Sequence, residues 1–269
     1  MLIPKLIHQT IEDPNQLLNE YRENRNSISV LNPDWELRLY SAQDREDYIR
    51  TSFDSTILNA YLKIDSRYGA ARADFFRYLV IYGSGGLYLD IKSTTLKPLD
   101  AVILDSDEFI TANWPKTLDG VDLSKIGVHE ELDFPEYQTW FVLSKPKNVI
   151  MEKVIEQVLR NIHDYHPLRT GVGKIGVLRT TGPIAYSKVV HGFINEGKIR
   201  VSTNDELGLR PTIFRIESSA FPFPNREKNT HYSELRIPVI KQSNLHSLLY
   251  SVIFKVMQKF QRLIMRLSI

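Results

Sequence analysis

ARADFFRYLVIYGSGGLYLDIKS, residues 71–93, contains a helix pattern and a strand pattern that are separated by two glycines. Apolar and aromatic residues recur at helical spacing over residues 70–80. Gly85 and Gly86 end that helix, and the apolar run after them predicts a short buried strand. The strand delivers Asp90 to the edge of the sheet at which open α/β proteins bind their ligands.

Strand and helix patterns alternate along the rest of the chain. The predicted strands cover residues 2–10, 34–40, 87–91, 108–113 and 139–144. The predicted helices cover residues 14–25, 41–53, 66–83, 148–165 and 182–194. This alternation predicts an α/β fold in which a mostly parallel sheet is flanked by helices.

The chain has 269 residues, enough to bury a substantial core, and its 42% apolar and 25% charged content is ordinary for a soluble globular protein. The absence of cysteine excludes disulfides, thiolate metal sites and a cysteine nucleophile, and fits a reducing cytoplasm. We expect no signal peptide, and no apolar run approaches the ~20 residues that span a bilayer. We therefore expect a globular domain over residues 1–240, followed by a distinct tail.

The C-terminal segment differs in charge from the rest of the chain. Residues 241–269 contain five basic and no acidic residues, so the first 240 residues carry a net charge of −3, which argues against nucleic-acid binding. Apolar residues over 245–267 form one stripe of a predicted amphipathic helix, and a basic stripe lies beside it. The basic stripe consists of Lys255, Lys259, Arg262 and Arg266. This pattern predicts a helix bound to an anionic membrane surface; the alternative is a helix packed on the domain with its basic face in solvent.

Several short segments occur in the order found in one family of sugar-transferring enzymes. IHQT (7–10) ends the first strand, NPDW (32–35) precedes the second, ADFFRY (73–78) lies on the long helix, and GGLYLD (85–90) follows it. RTTGP (179–183) is a weaker fifth match. Together they resemble the family-32 glycosyltransferases, the group of the yeast initiating α-1,6-mannosyltransferases and of many bacterial capsule and lipopolysaccharide sugar transferases.

The resemblance covers roughly residues 1–195 and is densest over 69–99. It implies a GT-A fold, which is a Rossmann-like nucleotide-sugar domain, and transfer with retention of the anomeric configuration. It also places the nucleotide-sugar site mainly within residues 1–115.

By position, Asp74 and Arg77 match the helix pair that orders the family's donor site, and Asp90 matches the first acid of its D-x-D motif. Asp74 and Arg77 are three residues apart on a helix and share one face. The carboxylate can accept hydrogen bonds from sugar hydroxyls, while the guanidinium can pair with Asp90 or with phosphate. The alternatives are an ordinary surface ion pair and, for Asp90, an acid that caps a turn.

Five further residues are predicted to form part of the donor site. His8 and Gln9 end the first strand, although His8 could instead be a core histidine with satisfied hydrogen bonds. Tyr88 lies on the same strand face as Asp90, and the pair Gly85–Gly86 would allow the backbone to approach the donor closely. Other acidic or amide candidates in the downstream loops are Asp107, Glu108, Asn113, Asp119 and Asp122.

Lys92 stands where the family has the second acid of D-x-D, and a charged lysine cannot ligate a metal. A divalent ion, Mn²⁺ or Mg²⁺, could be held by Asp90 with a partner such as His231, for which a solvated loop histidine is the alternative. Lys92 could instead supply the positive charge at the donor diphosphate, or point away from it. Residues two apart on a regular strand share a face, which favours the diphosphate role. Asp90 and Lys92 are therefore the catalytic candidates.

These features predict a glycosyltransferase that moves a hexose or N-acetylhexosamine from a UDP- or GDP-sugar to a lipid-linked surface-polysaccharide acceptor. The basic tail would hold the enzyme at the inner face of the cell membrane. The alternatives are a transferase that acts on a protein or small soluble acceptor, and a catalytically inactive nucleotide-sugar-binding or scaffolding relative in which Lys92 is the lesion.

Overall fold

The computed structural model of the protein describes residues 2–215 and 232–242. The strands in these ranges are β1 Leu6–Thr10, β2 Glu36–Tyr40, β3 Gly86–Leu89, β4 Thr94–Thr95, β5 Phe109–Ala112, β6 Thr117–Leu118, β7 Val121–Asp122, β8 Phe141–Ser144, β9 Arg200–Ser202 and β10 Leu209–Arg210. The helices are α1 Asn19–Leu31, α2 Ala42–Ser52, α3 Ser55–Lys63, α4 Gly69–Ser84, α5 Leu99–Val102, α6 Val149–His163, α7 Pro167–Thr170, α8 Gly173–Thr180, α9 Pro183–Gly192 and α10 Asn204–Leu207.

A six-stranded sheet with the order β2-β1-β3-β8-β5-β9 forms the centre of the fold. Strand β8 is antiparallel to both of its neighbours, and the other five strands run parallel to one another. The expected α/β architecture with a mostly parallel sheet is therefore confirmed. Because β1, β3 and β5 end at the same edge, the residues that follow these strands are brought together there.

Side chains of β3 alternate between two hydrophobic clusters, one on each face of the sheet. Tyr88 packs with α4 and α6 on one face, whereas Leu87 and Leu89 pack with Ile28 of α1 on the other. Nine of the sixteen residues of α4 are buried, which is the behaviour of a helix covered on nearly all sides. Asp74 and Arg77 of α4 are therefore buried with it.

Several element ends follow from local sequence. The predicted start of the helix over residues 41–53 is confirmed, because Ser41 and Asp44 form a reciprocal capping box at the start of α2. Helix α1 begins at Asn19, later than predicted, because Pro14–Gln16 forms a separate 3₁₀ turn capped by Asp13.

The predicted amphipathic helix over 241–269 lies outside the described residues, except for residues 241 and 242. Within the described ranges, no helix combines the length and the apolar character needed to cross a membrane.

The two glycines after α4 shape a sharp turn. Gly85 has φ 68° and Gly86 has φ 95°, a region that favours glycine. A Cβ atom on Gly86 would lie 2.5 Å from the carbonyl oxygen of Leu6, so the glycine allows β3 to pair closely with β1. Both glycines lie at the start of β3, whereas Asp90 follows its end. The glycines therefore bring two strands together, and the expectation that they allow the backbone to approach the donor stays a prediction.

The substitution Gly86→Ala tests this structural role. It should lower the free energy of unfolding by about 2 kcal/mol or more, because it combines an unfavourable φ with a steric clash against backbone. Gly192→Ala is the matched control, since a Cβ on Gly192 meets no atom within 4 Å and the residue ends a helix. The control should change stability by no more than about 1 kcal/mol in urea denaturation. Equal stability of the two variants would contradict the packing role of Gly86.

Candidate active site

Asp90 is the first residue after β3, and its backbone is fixed on both sides. Its N–H donates to the carbonyl oxygen of Trp140 at 2.8 Å, and its own carbonyl accepts from Ser93 N–H at 2.8 Å, which closes a tight turn. The Gln9 side-chain nitrogen lies 3.5 Å from the same carbonyl. The Asp90 side chain remains 25% exposed, so its carboxylate can reach a bound molecule.

Lys92 lies within this turn rather than on a strand. Strand β3 ends at Leu89, and the hydrogen bond from Ser93 to Asp90 shows that the chain has already turned. The expectation that Asp90 and Lys92 share a strand face is therefore wrong, because strand alternation does not extend past Leu89. The carbonyl oxygen of Lys92 accepts from Ile213 N–H at 2.8 Å, which ties the turn to the segment that follows β10.

Arg77 is buried, with 5% exposure, and connects three parts of the chain. One guanidinium nitrogen, Nη2, lies 3.0 Å from Asp74 Oδ1 and 3.2 Å from Asp90 Oδ1. The other terminal nitrogen donates to the carbonyl oxygen of Thr139, just before β8. The guanidinium also lies over the Tyr88 ring, 4.7 Å from its centre. The predicted grouping of the helix pair with the strand-end acid is thus observed in the geometry.

Asp74 is the more deeply buried of the two carboxylates. Burial raises its pKa to about 6, Arg77 opposes the rise, and the carboxylates of Asp90 and Glu136 add to it. Asp74 Oδ2 accepts a hydrogen bond from the Thr181 hydroxyl at 3.2 Å. The RTTGP segment, the weaker fifth part of the resemblance, is therefore in contact with the site through Thr181.

Three of the predicted donor-site residues contact the groups around Asp90 and Arg77 or lie buried near them: His8, Gln9 and Tyr88. His8 is fully buried, its Nε2–H donates to the Gly85 carbonyl at 3.0 Å, and its Nδ1 accepts from the Tyr40 hydroxyl at 3.1 Å. Burial lowers the pKa of His8 to about 4, so the ring is neutral and fits the core-histidine alternative. Tyr88 is 1% exposed and underlies Arg77, while Gln9 lies against the Asp90 carbonyl.

Helix α1 contributes a face that sequence reasoning did not single out. Asn24 Nδ2 donates to the Ser93 carbonyl at 2.8 Å, and Arg25 Nη1 donates to Gln9 Oε1 at 2.5 Å. The Tyr21 ring packs edge-on against Phe214, with 6.0 Å between ring centres. The available signal was the i, i+3, i+4 spacing of these polar and aromatic residues, which equally suits a solvent-facing side.

The segment between β7 and β8 places another acid near the site, since the charge of Glu136 acts on Asp74. Glu136 is buried, accepts from Trp114 Nε1 at 2.8 Å and pairs with His129. The other downstream candidates have partners within the protein. Three form ion pairs: Asp107 with Arg200, Glu108 with Lys145 and Asp119 with Arg210. Asp122 accepts a hydrogen bond from Ser124 N–H, and Asn113 donates to the Pro135 and Glu136 carbonyls.

Asp90 is the metal candidate that the described residues place at this edge. Within residues 2–215 and 232–242, no three histidine, aspartate or glutamate side chains come together as a metal-binding group. The other metal candidate, His231, lies outside the described residues. A single carboxylate fits an ion whose remaining ligands come from substrate phosphates and water.

Residues 19–110 match the family described as a glycosyltransferase sugar-binding region containing a DXD motif. An initiation-specific alpha-1,6-mannosyltransferase of Candida albicans is 26% identical over 140 residues, which cover 46% of this chain and 35% of that protein. Inositol phosphoceramide mannosyltransferase 3 of Schizosaccharomyces pombe is 36% identical over 101 residues, which cover 36% of this chain and 27% of that protein. The chain thus spans about a third of the length of these relatives.

A solved structure, the PaToxG glycosyltransferase, superimposes with a TM-score of 0.51 and 14% sequence identity, covering 71% of this chain and 69% of its own. This likeness concerns the fold, and it agrees with the expected GT-A architecture. The segment that matches the family contains Asp74, Arg77 and Asp90. The family match and the mannosyltransferase relatives support a family-32-like glycosyltransferase assignment, and the fold agrees with it.

Proposed function

We propose that this protein transfers a hexose from a nucleotide-sugar donor to a glycan or glycolipid acceptor, and that the donor binds at the sheet edge beside Asp90. One observation carries the proposal: the buried Arg77 guanidinium holds two carboxylates at the end of β3, and one of them, Asp90, stays partly exposed. Burying three charged groups of this kind costs free energy of desolvation, so their presence favours a functional role. Binding of a polar ligand at the open side of the triad would be such a role.

The two carboxylates have different proposed roles. Asp74, when ionised, accepts hydrogen bonds from sugar or ribose hydroxyls. Asp90 either accepts hydrogen bonds from the donor's sugar or ribose hydroxyls or reaches its diphosphate through a divalent ion. When bound, Mg²⁺ or Mn²⁺ would neutralise charge on the departing nucleoside diphosphate. Lys92, in the turn that begins at Asp90, and His231 stay predictions for the same region.

The named relatives guide the choice of substrates. They are mannosyltransferases, and one is named for inositol phosphoceramide, which favours a hexose donor and a glycan or glycolipid acceptor. The choice between UDP and GDP, retention of configuration, a lipid-linked surface polysaccharide as acceptor and membrane-surface binding through residues 241–269 stay predictions. So does a position at the cytoplasmic face of the membrane.

Asp90→Asn should lower donor turnover by roughly 10²–10³, because it removes the carboxylate that would hold a divalent ion at the leaving diphosphate or accept hydrogen bonds from donor hydroxyls. Its melting temperature should change little, since Arg77 keeps Asp74 and the Thr139 carbonyl as partners. The assay is consumption of a panel of UDP- and GDP-sugars. Asp34→Asn is the matched control, because Asp34 is 73% exposed and precedes β2 at the other edge of the sheet.

Wild-type turnover by Asp90→Asn would contradict the proposed role. If the wild-type protein binds a nucleotide sugar but consumes none, even with added acceptors, the inactive-relative alternative is favoured instead.

The raised pKa of Asp74 predicts pH-dependent donor binding. A carboxyl with a pKa of about 6 is mostly ionised at pH 7 and mostly protonated at pH 5. If only the ionised form accepts donor hydroxyls, affinity for a nucleotide sugar should fall about tenfold over that range. The diphosphate of a nucleotide sugar does not titrate there, so calorimetry reports on the protein. Asp74→Asn should bind more weakly at pH 7 with a flat profile; a flat profile in the wild type would refute this role.

A further inference from the structure

Arg25 is a half-buried cation for which the described part of the chain provides no counter-ion. Its Nη1 donates to the neutral Gln9 side chain at 2.5 Å, and burial lowers the pKa of its guanidinium below the ordinary value. Across residues 2–215 and 232–242, no carboxylate forms an ion pair with it, whereas the buried Arg45 pairs with Glu12 at 2.6 Å. A partly desolvated charge without an opposite charge costs free energy, and a bound anion would recover it.

Arg25 lies beside the candidate active site, on the side opposite to Arg77. Helix α1 packs on the sheet face of Leu87 and Leu89, while α4 packs on the face of Tyr88. Gln9 bridges the gap, since its oxygen accepts from Arg25 and its nitrogen lies 3.5 Å from the Asp90 carbonyl. One glutamine amide therefore separates the Arg25 guanidinium from the residue at the centre of the site.

The same face of α1 carries an aromatic group. Tyr21 and Arg25 are four residues apart on one helix and so point the same way. Burial raises the pKa of Tyr21, and the charge of Asp90 adds to the rise, which places the phenol within electrostatic reach of that carboxylate. Tyr21 also packs against Phe214. A cation next to an aromatic pair suits a ligand that combines phosphate with a planar ring.

We propose that Arg25 binds the diphosphate group of the nucleotide donor, and that Gln9 is its positioning residue. The inference rests on the proposed function, because it requires the donor to lie at the Asp90 edge. A guanidinium presents several donors in a planar fork that matches phosphate oxygens. It would hold the phosphates on the α1 side of Asp90, whether or not a divalent ion also binds them.

The test is calorimetric binding of GDP and UDP, with guanosine and uridine as probes that lack phosphate, in Mg²⁺ and in EDTA. Arg25→Gln should bind the preferred diphosphate ~10–100-fold more weakly, as expected for loss of a charged hydrogen bond. Affinity for the matching nucleoside should not change. Arg25→Lys, which keeps the charge, should recover most of the affinity. Arg22→Gln removes the same charge from an exposed position of α1 and should bind like the wild type.

Gln9→Glu separates a phosphate-binding role from a structural one. The new carboxylate would face the Arg25 guanidinium and neutralise it, so diphosphate affinity should fall although the contact between the side chains is kept. If Arg25 merely supports Gln9, this variant should bind GDP and UDP normally.

A wild-type protein that binds GDP or UDP, with Arg25→Gln unchanged in affinity, would overturn this inference alone. A wild-type protein that binds neither nucleotide, and no nucleotide sugar, would overturn the proposed function together with it. Equal weakening of nucleoside and diphosphate binding by Arg25→Gln would also count against the proposal, since it would indicate a disturbed fold rather than a lost phosphate contact.

Discussion

The buried guanidinium of Arg77 is the interaction on which the candidate site depends. It bonds to Asp74 on its own helix, to Asp90 after β3 and to the Thr139 carbonyl before β8. Two carboxylates of like charge would repel each other at this distance without a cation between them. Arg77 therefore fixes where α4 lies on the sheet and, at the same time, where the acids of the site are held.

The two carboxylates differ in burial and therefore in their proposed roles. Asp74 is enclosed and has a raised pKa, so its charge depends on pH near neutrality. Asp90 follows the central strand β3, between β1 and β8, and keeps a quarter of its side chain exposed. Contributions from both sheet faces meet at this point: Arg77 from α4 on one side, and Gln9 with Arg25 from β1 and α1 on the other.

The sequence predicted those parts of the fold that depend on interactions between residues close together in the chain. The Ser41 cap, the helical periodicity of α4 and the glycine turn after it follow from short-range rules, and the spacing of Asp74 and Arg77 predicted a shared face. The end of β3 was misplaced because apolar Ile91 extends the strand pattern, whereas the Asp90 carbonyl is used by the Ser93 turn. Sequence alone could not decide the role of His8, because burial and two distant partners determine it.

Local sequence patterns could not predict contacts between segments that are far apart in the chain. Thr181 contacts Asp74, which is 107 residues away in the sequence, and Arg25 lies on a polar face of α1 that resembles a solvent-exposed one.

A double-mutant cycle on Arg77 and Asp74, measured by urea denaturation, tests the Arg77-centred account most directly. Arg77→Met alone should lower the free energy of unfolding by about 3–5 kcal/mol, because it leaves the buried Asp74 carboxylate without its partner. Adding Asp74→Asn should recover part of that loss, with a coupling energy of about 1 kcal/mol or more. Strictly additive effects of the two substitutions would contradict the account.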